Sequence, residues 1–322
     1  MNEDTMTENK LYSLDEIPPG HKSGFVAVIG RPNVGKSTLM NRFVGQKVAI
    51  VSPKPQTTRS RILGILTRED KNVQIIFVDT PGLHRPRHKL GQAMVAASTS
   101  AIPDADVVLF IVDVSVPPTK EDQRVAKLIQ THTQTPVILV LNKMDLLSPQ
   151  EVEPHTEAYW ELAPYYHEWM MTIATEGENL DELLDLIIAA LPEGPRYYPG
   201  DQVTDQTERM IAAELVREQV LRYIRQEVPH AVAVVIEEFK EREHNATYIA
   251  ADIFVEKDSQ KGILIGKGGE MLRRIGTSAR REIERMTNSR VYLDLWVKVC
   301  EKWRQDEKGL RRLGYDGLGK QH

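Results

Sequence analysis

Residues Gly30-Arg31-Pro32-Asn33-Val34-Gly35-Lys36-Ser37 place two glycines, a lysine and a hydroxyl at the spacing G-x-x-x-x-G-K-[ST], with Thr38 next in line. Glycine lets backbone N–H groups wrap phosphate oxygens, Lys36 can reach β- and γ-phosphates, and the Ser37 hydroxyl can ligate Mg²⁺. Asp79-Thr80-Pro81-Gly82 adds a carboxylate suited to holding that Mg²⁺, and a Gly82 N–H that can meet a γ-phosphate. Alone, D-x-x-G is commonest as a plain turn; downstream of a phosphate loop it becomes a sensor of the third phosphate. Asn142-Lys143-Met144-Asp145 can read the base. One ionised carboxylate at Asp145 can accept both N1–H and the exocyclic amine of guanine. Adenine presents an acceptor at N1 and would leave a buried Asp145 unpaired. Asn142 would tie the loops together and Lys143 would lay its stem over the base.

In this order the three motifs resemble the translation-factor-like P-loop GTPases. The resemblance implies GTP or GDP with Mg²⁺ as cofactors and supplies further roles. Gln56-Thr57-Thr58-Arg59-Ser60 matches the mobile switch whose threonine ligates Mg²⁺ in the GTP state, Thr58 being favoured over Thr57. The metal set is then Ser37, Thr58 and Asp79. Ile173-Ala174-Thr175 stands where the family carries its fifth element, and its serine is missing. The base contact there is normally a backbone N–H, which Ala174 can supply. Leu83 occupies the position of the glutamine that orients water in related enzymes, so intrinsic hydrolysis should be slow. Relatives with this hydrophobic residue and a phosphate-loop asparagine often bind K⁺, and Asn33 is that asparagine. Lys36, Thr58, Gly82 and Asn33 are the catalytic candidates.

Positioning these groups requires strands that end at each motif. FVAVIG, RILGIL, QIIFVD, DVVLFIVD and TPVILVLN are short apolar runs bounded by turn residues. Alternating with helical stretches, they imply a mostly parallel sheet with helices on both faces, an α/β domain. LDELLDLIIAAL has helical spacing and stops at Pro192, where a run dense in Pro and Gly extends to Gly200. The domain boundary falls there.

Beyond it the order changes to helix (207–225), strand (231–239), strand (246–255), helix (270–286), strand (290–299) and a last helix (302–313), a smaller α+β domain. Gly266-Lys267-Gly268-Gly269 opens the basic helix EMLRRIGTSARREIERM. Paired glycines allow close approach to a sugar-phosphate chain, and the helix N-terminus adds its positive end. With its flanking strands the segment resembles a type II KH domain. That resemblance makes Gly266, Lys267, Gly268, Gly269, Arg273, Arg274 and Arg280 the RNA-binding candidates.

The 322 residues suffice for two domains. A single Cys300 excludes an internal disulfide framework, and no apolar run approaches the ~18 residues of a membrane span. The N-terminus has no apolar signal core, so a cytoplasmic protein is expected. A net charge of −5 taken whole argues against nucleic acid. Residues 261–322, however, carry 15 basic against 8 acidic side chains, and the excess starts just before the glycine clamp. Placement of charge favours an RNA face there.

Across residues 22–315, GRPNVGKSTLMN, PQTTR, DTPGLH, NKMD, IGKGG and WRQDEKGLRRLGY resemble the Era family of KH-domain GTPases. The resemblance implies a GTP-hydrolysing switch whose KH domain binds the 3′ end of 16S ribosomal RNA and assists maturation of the small (30S) ribosomal subunit. It also implies a monomer without a DNA partner, and peripheral association with the inner face of the cell membrane in some members. The expected layout is a flexible arm (1–22), a GTPase domain (23–192), a linker (193–205), a KH domain with a C-terminal helix (206–313) and a flexible tail (314–322). The rival reading is an RNA-binding assembly module in which nucleotide is mainly structural. A GTPase of RNA modification would need a catalytic cysteine, and Cys300 sits on an apolar strand.

Overall fold

A computed structural model describes residues 18–86, 88–224 and 228–315. Six strands form the first sheet: β1 (Lys22–Ile29), β2 (Ile62–Arg68), β3 (Val73–Asp79), β4 (Val107–Asp113), β5 (Val137–Asn142) and β6 (Glu168–Thr172). They lie in the order β2-β3-β1-β4-β5-β6, all parallel except β2, which runs antiparallel to β3. Every residue of β3, β4 and β5 is buried, because helices cover both faces of a parallel sheet and leave no strand face in water. The helices are α1 (Lys36–Val44), α2 (Lys89–Ser100), α3 (Lys120–His132), α4 (Val152–Leu162) and α5 (Leu180–Ala190). One core layer packs Leu39, Met40, Leu183 and Ile187 against the sheet, and the other packs Val125, Ile129 and Tyr159. The C-terminal ends of β1, β3 and β5 deliver the phosphate loop, Asp79 and Asn142 to one rim, where ligands of open α/β sheets bind.

The Pro/Gly-dense linker is pinned to the sheet. Gln74 on β3 accepts the N–H groups of Tyr197 and Tyr198 and donates to the Tyr198 carbonyl, while Ile65 on β2 donates to the Val203 carbonyl.

The second domain runs α6 (Glu208–Tyr223), β7 (Ala233–Arg242), β8 (Ala246–Val255), α7 (Asp258–Ile265), α8 (Glu270–Thr287) and β9 (Arg290–Val299), the helix and strand order of a type II KH domain. Its sheet is β7-β8-β9, with β8 antiparallel to β7 and parallel to β9. Ile249, Ala251 and Ile253 alternate inward from β8 to meet Leu215, Ile275, Ala279 and Ile283 of the helices. A six-residue helix, α9 (Glu307–Arg312), is the last helix among the described residues.

Three sequence expectations need correction. The arm expected over 1–22 is ordered at its end, since His21 is 3% exposed and Lys22 opens β1. The tail expected from 314 is packed at its second residue, Tyr315, whose ring stacks on Trp303 at 5.5 Å. The last helix starts only at Glu307, because Asp306 caps it by accepting the Gly309 N–H, and Trp303 lies in the turn before it. The remaining arm residues 1–17, tail residues 316–322, and Arg225 at the expected end of α6 lie outside the described residues.

Candidate nucleotide site and nucleic-acid interface

The phosphate loop leaves β1 at Gly30 and enters α1 at Lys36. Gly35 precedes the helix with φ 109°, a backbone conformation that side chains other than glycine rarely adopt. Lys36 is 5% exposed and its ammonium donates to the Gly30 and Arg31 carbonyls at 3.1 and 2.9 Å. Burial pushes its pKa down to about 8, against a partial restoring pull from Asp79 and a further push down from Arg31. Thus the loop holds a poorly solvated cation aimed along its carbonyls, ready to exchange them for phosphate oxygens.

Asp79 at the tip of β3 is fully buried, and burial raises its pKa despite Lys36, Ser37 and Thr58. Its Oδ2 accepts from Ser37 Oγ at 2.6 Å and Thr58 Oγ1 at 3.3 Å, and the two hydroxyls are 3.0 Å apart. Its Oδ1 is buried without a partner. One carboxylate, with one of its two oxygens unpartnered, and two hydroxyls form a hard-oxygen donor set of the kind Mg²⁺ takes. Thr57 points elsewhere, donating to the Lys54 carbonyl at 2.6 Å. Among the described residues no cluster of three or more His, Cys, Asp or Glu could hold a metal, so this hydroxyl-rich group stands apart from thiolate or imidazole sites.

Gly82 passes so close to the phosphate loop that a Cβ there would lie 2.6 Å from the backbone of Pro32. The Leu83 N–H donates to the Gly30 carbonyl at 3.2 Å, and the Leu83 side chain is buried in the core with Val125. A residue turned inward in this way has no group to orient water. Thr80 and Pro81 stay behind the loop as buried supports: Thr80 Oγ1 donates to the Val28 carbonyl, and the Pro81 carbonyl accepts from Ser98. Asn33, in the left-handed region at φ 66°, donates its amide to the Pro53 carbonyl at 2.8 Å.

The base end is built around Asn142, which is 2% exposed. Its amide donates to the Val34 carbonyl at 2.7 Å, and its Oδ1 accepts from Thr172 Oγ1 and the Ala174 N–H at 3.1 and 3.0 Å. The Ala174 N–H assigned to the base is therefore already engaged by Asn142, leaving a base oxygen to share or displace that bond. Lys143 has φ 68° and its ammonium reaches Asp113 Oδ2 at 2.6 Å. Asp145 is exposed at the rim rather than buried, so the burial expected of it depends on a base lying over it.

Together Lys36, Ser37, Thr38, Thr58, Gly82 and Asp145 face one cavity of about 460 Å³. Thr175 closes its base end, and Ile50, Val51 and Leu146, which carry no motif, also line it. Arg31 and Met144 point away. Arg31 pairs with Asp122 at 3.2 Å and with Asp113 at 3.7 Å, and Met144 packs against the core.

In the KH domain, α7 and α8 flank Gly266 to Gly269. Gly266 has φ 70°, and a Cβ on it would meet the Met271 Cβ at 2.8 Å. Only glycine satisfies both. Lys267 and Gly268 are exposed at the apex. Gly269, Arg273 and Arg280 line a groove of about 490 Å³ between α8 and β9, floored by Leu293 and Leu295. Arg274 departs from this set: its guanidinium lies over the Tyr223 ring at 4.4 Å, on the α6 side. The helix α7 was not legible beforehand, since DSQKGILI is short and interrupted by Gly262.

A family model described as a 50S ribosome-binding GTPase matches residues 25–143, and a KH domain model matches residues 227–304. The GTPase Era of Leuconostoc citreum is 48% identical over 295 residues, covering 92% of this chain and 97% of that protein. The GTPase Era of Heliobacterium modesticaldum matches to the same extent. A crystal structure of Era in complex with MgGDPNP and nucleotides 1506–1542 of 16S ribosomal RNA superposes with a TM-score of 0.87 at 41% identity, covering 91% of this chain and 99% of that one. A point-substituted Aquifex aeolicus Era bound to GDP·AlF4⁻ gives 0.86 at 40% identity, with the same coverage. With both domains, their order and nearly the whole length shared, the chain belongs to the Era family of KH-domain GTPases.

Proposed function

We propose that the chain is a GTP-hydrolysing switch that binds the 3′ end region of 16S ribosomal RNA through its KH domain and assists maturation of the 30S subunit. The observation that carries the nucleotide half is the convergence of Ser37, Thr58 and the orphaned Asp79 Oδ1 beside Lys36. A purely structural nucleotide would not need a switch threonine poised on the metal carboxylate. Relatives bound to MgGDPNP and to GDP·AlF4⁻ support the same ligands here.

In this reading Ser37, Thr58 and Asp79 hold Mg²⁺, which supplies charge neutralisation for the phosphates. Lys36 and the loop N–H groups orient the phosphates, Gly82 reports the third one, and Asp145 selects guanine. Charge developing on the phosphoryl oxygens is met by Lys36, itself only 5% exposed. Leu83 brings no polar group to the attacking water, and slow unassisted turnover follows. Asn33 Oδ1 accepts no hydrogen bond among the described residues, so it is free to ligate K⁺.

For the RNA half, the glycine clamp, the dipole end of α8, Arg273 and Arg280 support capture of about four nucleotides of single strand. The relative solved with nucleotides 1506–1542 supports the 3′ end as target. A cytoplasmic monomer fits this role, and peripheral membrane association rests on family resemblance alone. The test is crosslinking to total RNA with a non-hydrolysable GTP analogue. Crosslinks concentrated at the 16S 3′ end are expected; crosslinks spread without preference would refute the assignment.

A further inference from the structure

The switch that carries Thr58 is fastened to the KH domain at both ends. Upstream, Glu218 on α6 accepts the Val51 N–H at 3.0 Å and the Lys47 ammonium at 2.6 Å. Arg217, 0% exposed, donates to the Thr57 carbonyl and pairs with Glu214. Downstream, Arg59 is 3% exposed, and among the described residues no carboxylate pairs with it. Its guanidinium donates to the Val232 carbonyl at 2.5 Å, the His230 carbonyl at 3.2 Å and the Tyr315 hydroxyl at 3.3 Å. It also lies 5.7 Å from the Trp303 ring centre and 5.8 Å from that of Tyr315, rings that stack on each other. Trp303 is itself fixed by donating Nε1–H to the Ala231 carbonyl at 2.9 Å.

A buried guanidinium without a carboxylate is costly to desolvate, and carbonyl oxygens and ring faces are the groups that can compensate it. Every one of those groups belongs to the KH half, whereas Arg59 itself belongs to the GTPase half. Thr58 therefore sits between two residues, Thr57 and Arg59, each held by the other domain, while its own hydroxyl is within 3.3 Å of Asp79 and 3.0 Å of Ser37.

We propose that Arg59, seated in the Trp303–Tyr315 box, is a positioning residue for hydrolysis, and that with Arg217 it makes the docked KH domain hold Thr58 at the metal site. This deepens the switch reading and rests on it. Coupling of this kind is reciprocal: if docking favours Thr58 on the metal, then ligation of Thr58 in the GTP state favours docking by the same factor. GDP, which does not call on Thr58, gains nothing from it.

The test uses the full chain as wild type, Arg59→Lys, Arg59→Ala, Thr58→Ala and the double variant Thr58→Ala/Arg59→Ala. Single-turnover GTP hydrolysis and GDP affinity are measured for each. A misplacement near 1 Å costs on the order of 10²-fold in rate, so Arg59→Ala should slow hydrolysis by about that factor with GDP affinity unchanged. Arg59→Lys keeps the charge but loses the planar fork that faces the Trp303 and Tyr315 rings, and should fall between Arg59→Ala and wild type. Because Arg59 acts through Thr58, the double variant should hydrolyse no more slowly than Thr58→Ala. Equal losses of GDP affinity and hydrolysis would overturn the proposal, as would a double variant whose losses multiply. If Arg59→Ala does not fold, Arg59→Lys still decides: unimpaired hydrolysis overturns the proposal, and slowed hydrolysis with intact GDP affinity supports it. Wild-type turnover in the same assay tests the GTPase reading separately.

Discussion

Lys36 makes nucleotide binding pH-dependent in a direction the structure specifies. Its ammonium is buried against the Gly30 and Arg31 carbonyls, and burial lowers its pKa from 10.5 to about 8. Phosphates in the loop give that ammonium anionic partners, so its pKa rises on binding. The bound state then holds a proton that part of the free protein lacks. Affinity is fully present well below pH 8 and is lost as pH climbs through it. At pH 8 half of the free protein carries neutral Lys36, so binding should take up about 0.5 proton, and between pH 7 and 8.5 the affinity should weaken about fourfold. Calorimetric titration of Mg·GDP in two buffers of different ionisation enthalpy reads the uptake directly. Lys36→Met should remove both the uptake and the slope. No proton uptake at pH 8 in the wild type would refute the reasoning. Asp79 has the opposite sign. Burial raises its pKa, so binding that needs its carboxylate weakens as pH falls through the raised value, and affinity should peak between the two limbs.

Other outcomes follow from single contacts. Trp303→Ala removes a fully buried indole that stacks on Tyr315 and donates to Ala231, and it should cost about 3–5 kcal/mol in denaturant unfolding of the two domains together. A loss under about 1 kcal/mol would mean the box is not packed in solution. Asp145→Asn replaces the acceptor pair with one donor and one acceptor, so competition assays should show guanine preference falling and xanthine nucleotides gaining. Asn33→Ala should abolish any faster turnover in KCl over matched NaCl, and equal turnover of the wild type in the two salts would remove K⁺ from the mechanism.

The phosphate loop, DTPG and NKMD were legible because each is a contiguous run whose chemistry is local, and each ends a strand that reads as a buried apolar run. The KH helices and strands were legible for the same reason, through period and breaker residues. β6 was not, since Glu168 and Trp169 are exposed at the sheet edge and the run is five residues long. The domain interface was invisible as well. Arg59 meets the Val232 carbonyl 173 residues away, and Arg217 looked like one more charge on a helix although its side chain is fully buried. Such contacts depend on how two folded surfaces meet, which no local pattern encodes. Arg274 shows the converse: a basic helix marks an RNA face, but only helical phase decides which arginines point into the groove, and this one stacks on Tyr223.

The central claim is that one chain couples a GTP site to an RNA clamp. Its most direct test is the affinity for an RNA of the 16S 3′ end, measured with a non-hydrolysable GTP analogue and again with GDP. The wild type is compared with Gly268→Asp, which adds negative charge at an exposed apex where a Cβ meets nothing within 4 Å, and with Gly268→Asn, which carries the same left-handed backbone strain at φ 60° without the charge. Binding should be tighter with the GTP analogue than with GDP, and Gly268→Asp should lose most of it. RNA affinity indifferent to the nucleotide, or undiminished in Gly268→Asp, would contradict it.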